Sequence, residues 1–317
     1  MTLLLARKLF RDSLPALIVV CLLLAAFSCF WAKIAQRVTT EISPFFNGLA
    51  KIGNINPKLM DEVVFKGPGK VAQSVMGGAD VRFERPNDFL AVELLHPVIL
   101  TLCGLWACGR ASGAIAGELD RGTMELLLSQ PVPRGRVVLA HLLVDAIVIP
   151  VICLSLVLGT QLGLWLVGPF TVDYSMLEKL TAGSPARFKL DPGPAVLDVS
   201  AARQIFGTVN TAALMFGFSG IAMAISSVNR SRWKATGISC FVYVIMFIIN
   251  VIGQLWDTVA AIRPSSLFYY YQPQKIWLNA EWTVNGIPTV PVLLAVGTLG
   301  YAIAYRMLST RDLPAPL

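Results

Sequence analysis

Six stretches of this chain are each long and apolar enough to cross a lipid bilayer, and that repetition limits the fold more than any motif does. They run about Leu14–Gln36, Phe89–Arg110, Val137–Val167, Ile205–Val228, Ala235–Leu255 and Val290–Met307. Each reaches or exceeds the ~18 residues that a spanning helix needs. In hydrocarbon every backbone N–H and C=O must be paired inside the protein, and a helix does this within its own segment. The expectation is therefore an all-α polytopic membrane protein with six transmembrane helices, residues 1–317 forming one transmembrane domain. Composition agrees: only 14% of the residues are charged, whereas a soluble domain carries roughly a quarter.

The segments between spans are expected to differ in kind. Residues 1–13 mix Leu3, Leu4, Leu5, Leu9 and Phe10 with Arg7, Lys8 and Arg11, which suits an interfacial helix whose cations lie near anionic headgroups. The run that follows is too long for the core of a signal peptide and lacks a small-x-small cleavage site, so a retained first span is expected. Residues 37–88 form an extracytoplasmic segment, and 168–203 and 257–289 two outer loops. Gly109, Gly113 and Gly117, four apart, are read as a small-residue stripe for close helix packing or as a hinge. Pro150 is expected to kink the third span. The six cysteines all fall in spans and are read as packing residues.

Charge chooses the orientation. With both termini on one side, that side collects twelve basic residues, among them Arg110, Arg121, Arg134, Arg136, Arg230, Arg232 and Lys234, against five acidic ones. Dense cations in short loops mark the cytoplasmic face. Location in the cell (inner) membrane with both termini cytoplasmic follows. The basic balance thus reports orientation in a lipid bilayer and requires no nucleic-acid partner.

One polar island interrupts the apolar sequence between spans two and three, within Gly117–Leu143. Glu118, Asp120, Arg121, Gly122, Thr123 and Glu125 are followed by Leu126, Leu127 and Leu128, and Pro131 and Pro133 then stop any helix. Residues alone allow two readings: an ordinary solvated loop whose charges fix topology, or a cytoplasmic segment over 114–133 whose short helix, Gly117–Ser129, has a task. The pattern G-E-x-x-R-G-T-x-E-L-L-L-x-x-P resembles the coupling segment of ABC-2 type export permeases, the membrane subunits of one class of ATP-driven transporter. The Pro264-Ser265-Ser266-Leu267-Phe268-Tyr269-Tyr270-Tyr271 segment and the closing Arg311-Asp312-Leu313 are similar to the family as well. The resemblance implies that the segment docks on a cytoplasmic ABC ATPase subunit, that Glu118, Asp120, Arg121, Gly122, Thr123 and Glu125 carry the coupling, and that two permease copies or homologues pair with two ATPases. The family often has a lysine in the first turns of span three, where this chain has His141.

No G-x-x-x-x-G-K-[ST] occurs; Gly67-Pro68-Gly69-Lys70 lacks the first glycine and is followed by Val71. Without amides to cradle phosphates and a hydroxyl for magnesium, ATP hydrolysis is not expected here. ATP and Mg belong on the partner ATPase, and no cofactor is expected on this chain. His96 and His141 are the only histidines, so no metal cluster with ligand spacing arises. No G-x-S-x-G nucleophile motif is present either.

Within the spans, His141 and Asp145 lie four apart on one helical face, and an ionisable residue in the bilayer needs protein or water around it. They form either a translocation-path pair or a buried structural pair. Asn210, Asn250 and Gln254 pose the same choice between a path and interhelical hydrogen bonds. Glu93 and His96 are read as interfacial, and Phe268–Tyr271 as interface anchors or an outer gate. The functional expectation is a permease exporting a substrate by alternating access, driven by a separate ATPase. One alternative is a membrane subunit that transmits motion to an extracytoplasmic assembly or maturation partner without moving solute. A second is an ATPase-independent secondary transporter.

Overall fold

A computed structural model describes residues 2–45, 85–124, 133–173 and 196–310. Most of the 37–88 segment, much of the 168–203 loop, Glu125 with the Leu126–Ser129 stretch, and the Arg311-Asp312-Leu313 tail lie outside the described residues.

Helix α1 covers Thr2–Arg37 and passes into a wider turn at Val38–Ile42. The N-terminal basic segment is therefore continuous with the first span, not a separate piece. Pro15 withholds one amide but lies on the outward face, where its ring meets no neighbouring helix. Pro86–Ala91 (α2) leads through a tight turn, Val92–Leu95, into Pro97–Ser112 (α3). Pro86 and Pro97 both stand at the start of a helix, where a missing N–H costs nothing, and His96 Nδ1 accepts the Val98 N–H at 3.2 Å as a cap. Ala116–Asp120 (α4) is followed by the long α5, Gly135–Val167, then α6, Gln204–Val228, and α7, Arg232–Leu255. Two tight turns, Asp257–Ser265 and Leu267–Tyr269, lead to α8, Pro273–Asn279, and the chain returns through α9, Thr289–Thr310. Two antiparallel two-residue ladders complete the loops: Phe170–Thr171 with Val196–Leu197, and Thr283–Val284 with Ile287–Pro288. Asn285 and Gly286 both have positive φ, 49° and 77°, the backbone that a two-residue hairpin turn requires.

Six helical stretches, with α2 and α3 counted as one, are long and apolar enough to span a membrane. The molecule is an all-α polytopic membrane protein. α6 is its hub, packed on α3, α5, α7, α8 and α9, while α1 lies along α5. Small residues set the two closest crossings. A side chain at Gly220 would lie 2.2 Å from Gly297 O, and one at Gly159 2.4 Å from Ala25 O. These backbones touch because nothing stands between them.

The Gly109–Gly117 stripe has a different use. α3 ends at Ser112 with Gly113 as its cap, so the three glycines do not share one helical face. The Arg232 side chain instead runs past Gly113 and Gly117, 3.3 and 3.6 Å from where their Cβ atoms would stand. α5 continues through Pro150, whose ring faces outward. Its buried residues include Val137, His141, Val144, Asp145, Val148, Ile152, Leu156, Gly159 and Gly163, one continuous stripe at helical spacing. Leu139, Leu143, Ile147, Leu154, Leu158 and Leu162 point outward.

Ala111, Ala114, Ile115, Met124, Val137, Met223, Ala304 and Leu308 share one apolar cluster, against which Leu5 packs. Both ends of the described chain therefore sit at the end of the bundle that carries α4.

Candidate functional site

One exposed feature at that end, among the described residues, is the turn that closes α4. Gly122 has φ 69°, the left-handed conformation that ends many helices and suits glycine. Its N–H donates to Leu119 O at 3.1 Å, and the Thr123 N–H donates to Glu118 O at 3.0 Å. This is the paired reverse bonding of a Schellman motif. The Glu118 carboxylate then takes the Arg121 guanidinium on one oxygen and the Thr123 hydroxyl, at 2.5 Å, on the other. Glu118, Arg121, Gly122 and Thr123 thus form one self-bonded knuckle, with Asp120, Arg121, Gly122 and Thr123 exposed. The helix expected to reach the leucine run stops at Asp120 instead, because Gly122 reverses the backbone; Glu125 lies outside the described residues.

The knuckle is fixed to the bundle from below. Ser226, near the end of α6, accepts the Ile115 and Ala116 N–H groups at 3.1 and 3.0 Å and donates to Ser112 O at 2.6 Å. One hydroxyl so occupies three backbone groups that the break between α3 and α4 would otherwise leave open. Ser112 Oγ also bonds Thr236 Oγ1 of α7 at 2.8 Å.

Directly inward lies a buried ionic cluster. Arg110 Nη1 stands 3.3 Å from Asp145 Oδ1, with the two side chains 13% and 1% exposed. The other Asp145 oxygen receives Ser219 Oγ at 3.0 Å and the Tyr301 hydroxyl. Arg110 Nη2 donates to His141 O at 3.1 Å, and its Nη1 is 3.5 Å from His141 Nδ1. α3, α5, α6 and α9 each contribute, so four spans meet on one carboxylate. Burying it is tolerable because a cation and two hydroxyls replace water. His141 and Asp145 come together as their spacing implies. Arg110, expected only as a flanking charge, is their partner; a carboxylate inside a span demands a cation, and that demand was the available signal.

Asn210 and Asn250 sit elsewhere. Asn210 Nδ2 donates to Tyr270 O at 3.1 Å and its Oδ1 accepts the Gln272 N–H at 2.8 Å, gripping the α7–α8 connection. Asn250 Oδ1 accepts Arg263 Nε at 3.4 Å; Arg263 also lies over the Tyr269 ring, and partial burial lowers its pKa from the usual guanidinium value. Phe268, Tyr269 and Tyr271 are buried and do not anchor an interface. Phe268 packs edge-on to Tyr243 and Phe247, and the Tyr271 hydroxyl donates to Leu94 O at 2.6 Å. The aromatic run turns inward because its hydroxyls find partners there.

Glu93 is likewise not interfacial. It is fully buried, bonded by Ser28 of α1 and by Thr160 Oγ1 of α5 at 3.0 Å. Sequence position at the mouth of a span gave no warning of this, since the turn Val92–Leu95 folds the side chain inward.

These features define a multi-pass helical membrane protein with an exposed knuckle bonded to a buried, charge-bearing interior. Residues 6–279 match the family model described as ABC-2 family transporter protein. The chain belongs to that family, and its role is that of a membrane permease of ABC transporters. No curated protein matches it.

Proposed function

We propose that the chain is the permease subunit of an ATP-driven exporter, worked by a separate cytoplasmic ABC ATPase that pushes on the Glu118–Thr123 knuckle. The observation that carries this reading is the three-way bonding of Ser226 at the base of the knuckle in a chain of the ABC-2 family. A loop that merely fixed topology would have no need of such a joint. Force on the knuckle reaches α6 through Ser226, α7 through Thr236 and Arg232, and α3 directly. A second permease completes the complex. The substrate route lies between the two copies, because the centre of this bundle is filled by α6 and its close crossings. The knuckle end faces the cytoplasm, as the cations of the Asn229–Lys234 loop favour.

The test is charge reversal at Glu118 or Arg121 in the complex reconstituted with its ATPase. Expected is ATP hydrolysis that no longer drives transport, in a complex that still inserts and assembles. Unchanged transport per ATP overturns the coupling role. In the reading where the lever serves an extracytoplasmic partner, the same variants lose maturation of that partner while wild-type vesicles accumulate no solute. Labelling of a cysteine introduced in Asn229–Lys234 from the extracytoplasmic side alone would overturn the orientation.

A further inference from the structure

At the end of the bundle opposite the knuckle, Glu93 is fully buried where α1, α5 and α6 converge. Among the described residues no lysine, arginine or histidine pairs with it. Ser28 donates to its Oε1. Thr160 Oγ1 stands 3.0 Å from its Oε2, 3.1 Å from Leu156 O and 2.6 Å from Gln204 Nε2. The other groups nearby are neutral or turned elsewhere. Tyr271, from the α7–α8 connection, spends its hydroxyl hydrogen on Leu94 O. His96 caps Val98 and stacks near Phe27 and Trp31. Arg203, beside Gln204, is exposed.

Burial without a cation, together with donor counting, bears on the state of the carboxyl. A threonine hydroxyl has one hydrogen and two lone pairs. Gln204 Nε2 donates to one lone pair. The single hydrogen is within reach of both Glu93 Oε2 and Leu156 O, at 3.0 and 3.1 Å, and can serve only one of them. With a proton on Glu93 all three contacts are hydrogen bonds at once: the threonine hydrogen goes to Leu156 O and Glu93 donates to the remaining lone pair. A carboxylate here would be a buried charge offset by neutral hydroxyls alone, with no cation.

We propose that Glu93 is a proton-binding site, a carboxylic acid that ties α1, α5 and α6 together while it holds its proton and releases it when these helices part and water enters. The bond made in the closed form is Oε2–H to Thr160 Oγ1. On opening, the proton passes to water and the carboxylate is hydrated. One proton is lost per opening, so raising the pH favours the open form by up to about tenfold per unit. This site is independent of the ATPase-coupling reading.

Infrared difference spectra of the purified full-length chain in lipid nanodiscs test it directly. At neutral pH the wild type minus Glu93→Gln spectrum is expected to contain a protonated carboxylic C=O band. Superimposable spectra in that region overturn the proposal, as does a carboxylate band that sharpens on adding Na⁺ alone. Should Glu93→Gln fail to fold, Thr160→Val serves: the band is expected to persist and shift as its hydrogen bond is lost, and an unshifted or absent band overturns the assignment. Solvent labelling of a cysteine at Ser28 is not suitable, because it removes a partner; labelling at a cysteine replacing Ala25, on the α1–α5 crossing, is expected to rise with pH more steeply with Glu93 present than in Glu93→Gln, where only the thiolate fraction changes, and equal slopes overturn the proposal.

Discussion

Asp145 holds four spans together only while Arg110 remains beside it, and a double-mutant cycle measures how strongly. At 3.3 Å, with an effective dielectric near 20, the attraction is about 5 kcal/mol. Removing one partner strands the other charge in the bundle, a loss of about 3 kcal/mol for either Arg110→Met or Asp145→Asn, the low end of the usual range. The low end applies because the Arg110 side chain is not fully buried, at 13% exposed. The double variant strands nothing. The asparagine amide oxygen still accepts from Ser219 and Tyr301, and the methionine side chain fills the volume of the arginine stem, so its cost is about 1 kcal/mol. The shortfall from additivity is then about 5 kcal/mol, in agreement with the Coulomb figure. Equilibrium unfolding in mixed micelles, followed by tryptophan fluorescence, gives the three free energies. Additivity within about 0.5 kcal/mol would refute the pair as a joint and leave Arg110 as a flanking charge.

Four further variants are open to the same unfolding assay. Gly220→Ala places a carbon 2.2 Å from Gly297 O and is expected to destabilise by about 3 kcal/mol or more, whereas Gly109→Ala meets nothing within 4 Å and is expected to stabilise by about 0.5–1 kcal/mol. Ser226→Ala leaves the Ile115 and Ala116 amides without their partner, at about 2–4 kcal/mol for the two together, and amide exchange at those residues is expected to accelerate. Asn210→Ala frees the Tyr270–Gln272 backbone, at about 1–3 kcal/mol, with faster proteolysis of the α7–α8 connection as its local readout.

The spans were legible because lipid demands unbroken apolar helices, and that demand is written in every residue of a run. The packing was not, and α5 explains why. Large apolar residues stand on both its buried and its outward face, so hydrophobic periodicity carries little signal there; what sets the inward stripe apart is Gly159, Gly163, Thr160, Ser155, His141 and Asp145, small or polar residues interleaved with its valines, isoleucines and leucine. Amphipathicity in a bilayer is a contrast of size and polarity against lipid, the reverse of the soluble rule. The Asn285-Gly286 turn was readable by its residue pair. The early stop of α4 was also written in the chain, at Gly122, but the leucines beyond it suggested a longer helix.

The functional residues divide along the same line. Glu118, Arg121, Gly122 and Thr123 are neighbours in sequence, so their knuckle could be read as a local motif. The Arg110–Asp145–Ser219–Tyr301 cluster and the Ser28–Glu93–Thr160–Gln204 cluster each join residues from separate helices, and only the folded bundle brings them together. Both clusters have a member on the same stretch, Glu93 just before α3 and Arg110 near its end. α3 itself has 16 residues, about 24 Å at the rise of a helix. It therefore lies between the turn that carries the proton-bearing group and the ion pair near its own end, and the knuckle hangs from the ion-pair end. A push on the knuckle that tilts α3 must strain both clusters together. A variant that loosens the Arg110–Asp145 joint should accordingly weaken the pH dependence of opening at Ala25, although it touches nothing near Glu93. Retention of the full pH response in Asp145→Asn would show that the two ends move independently and that α3 is not the link.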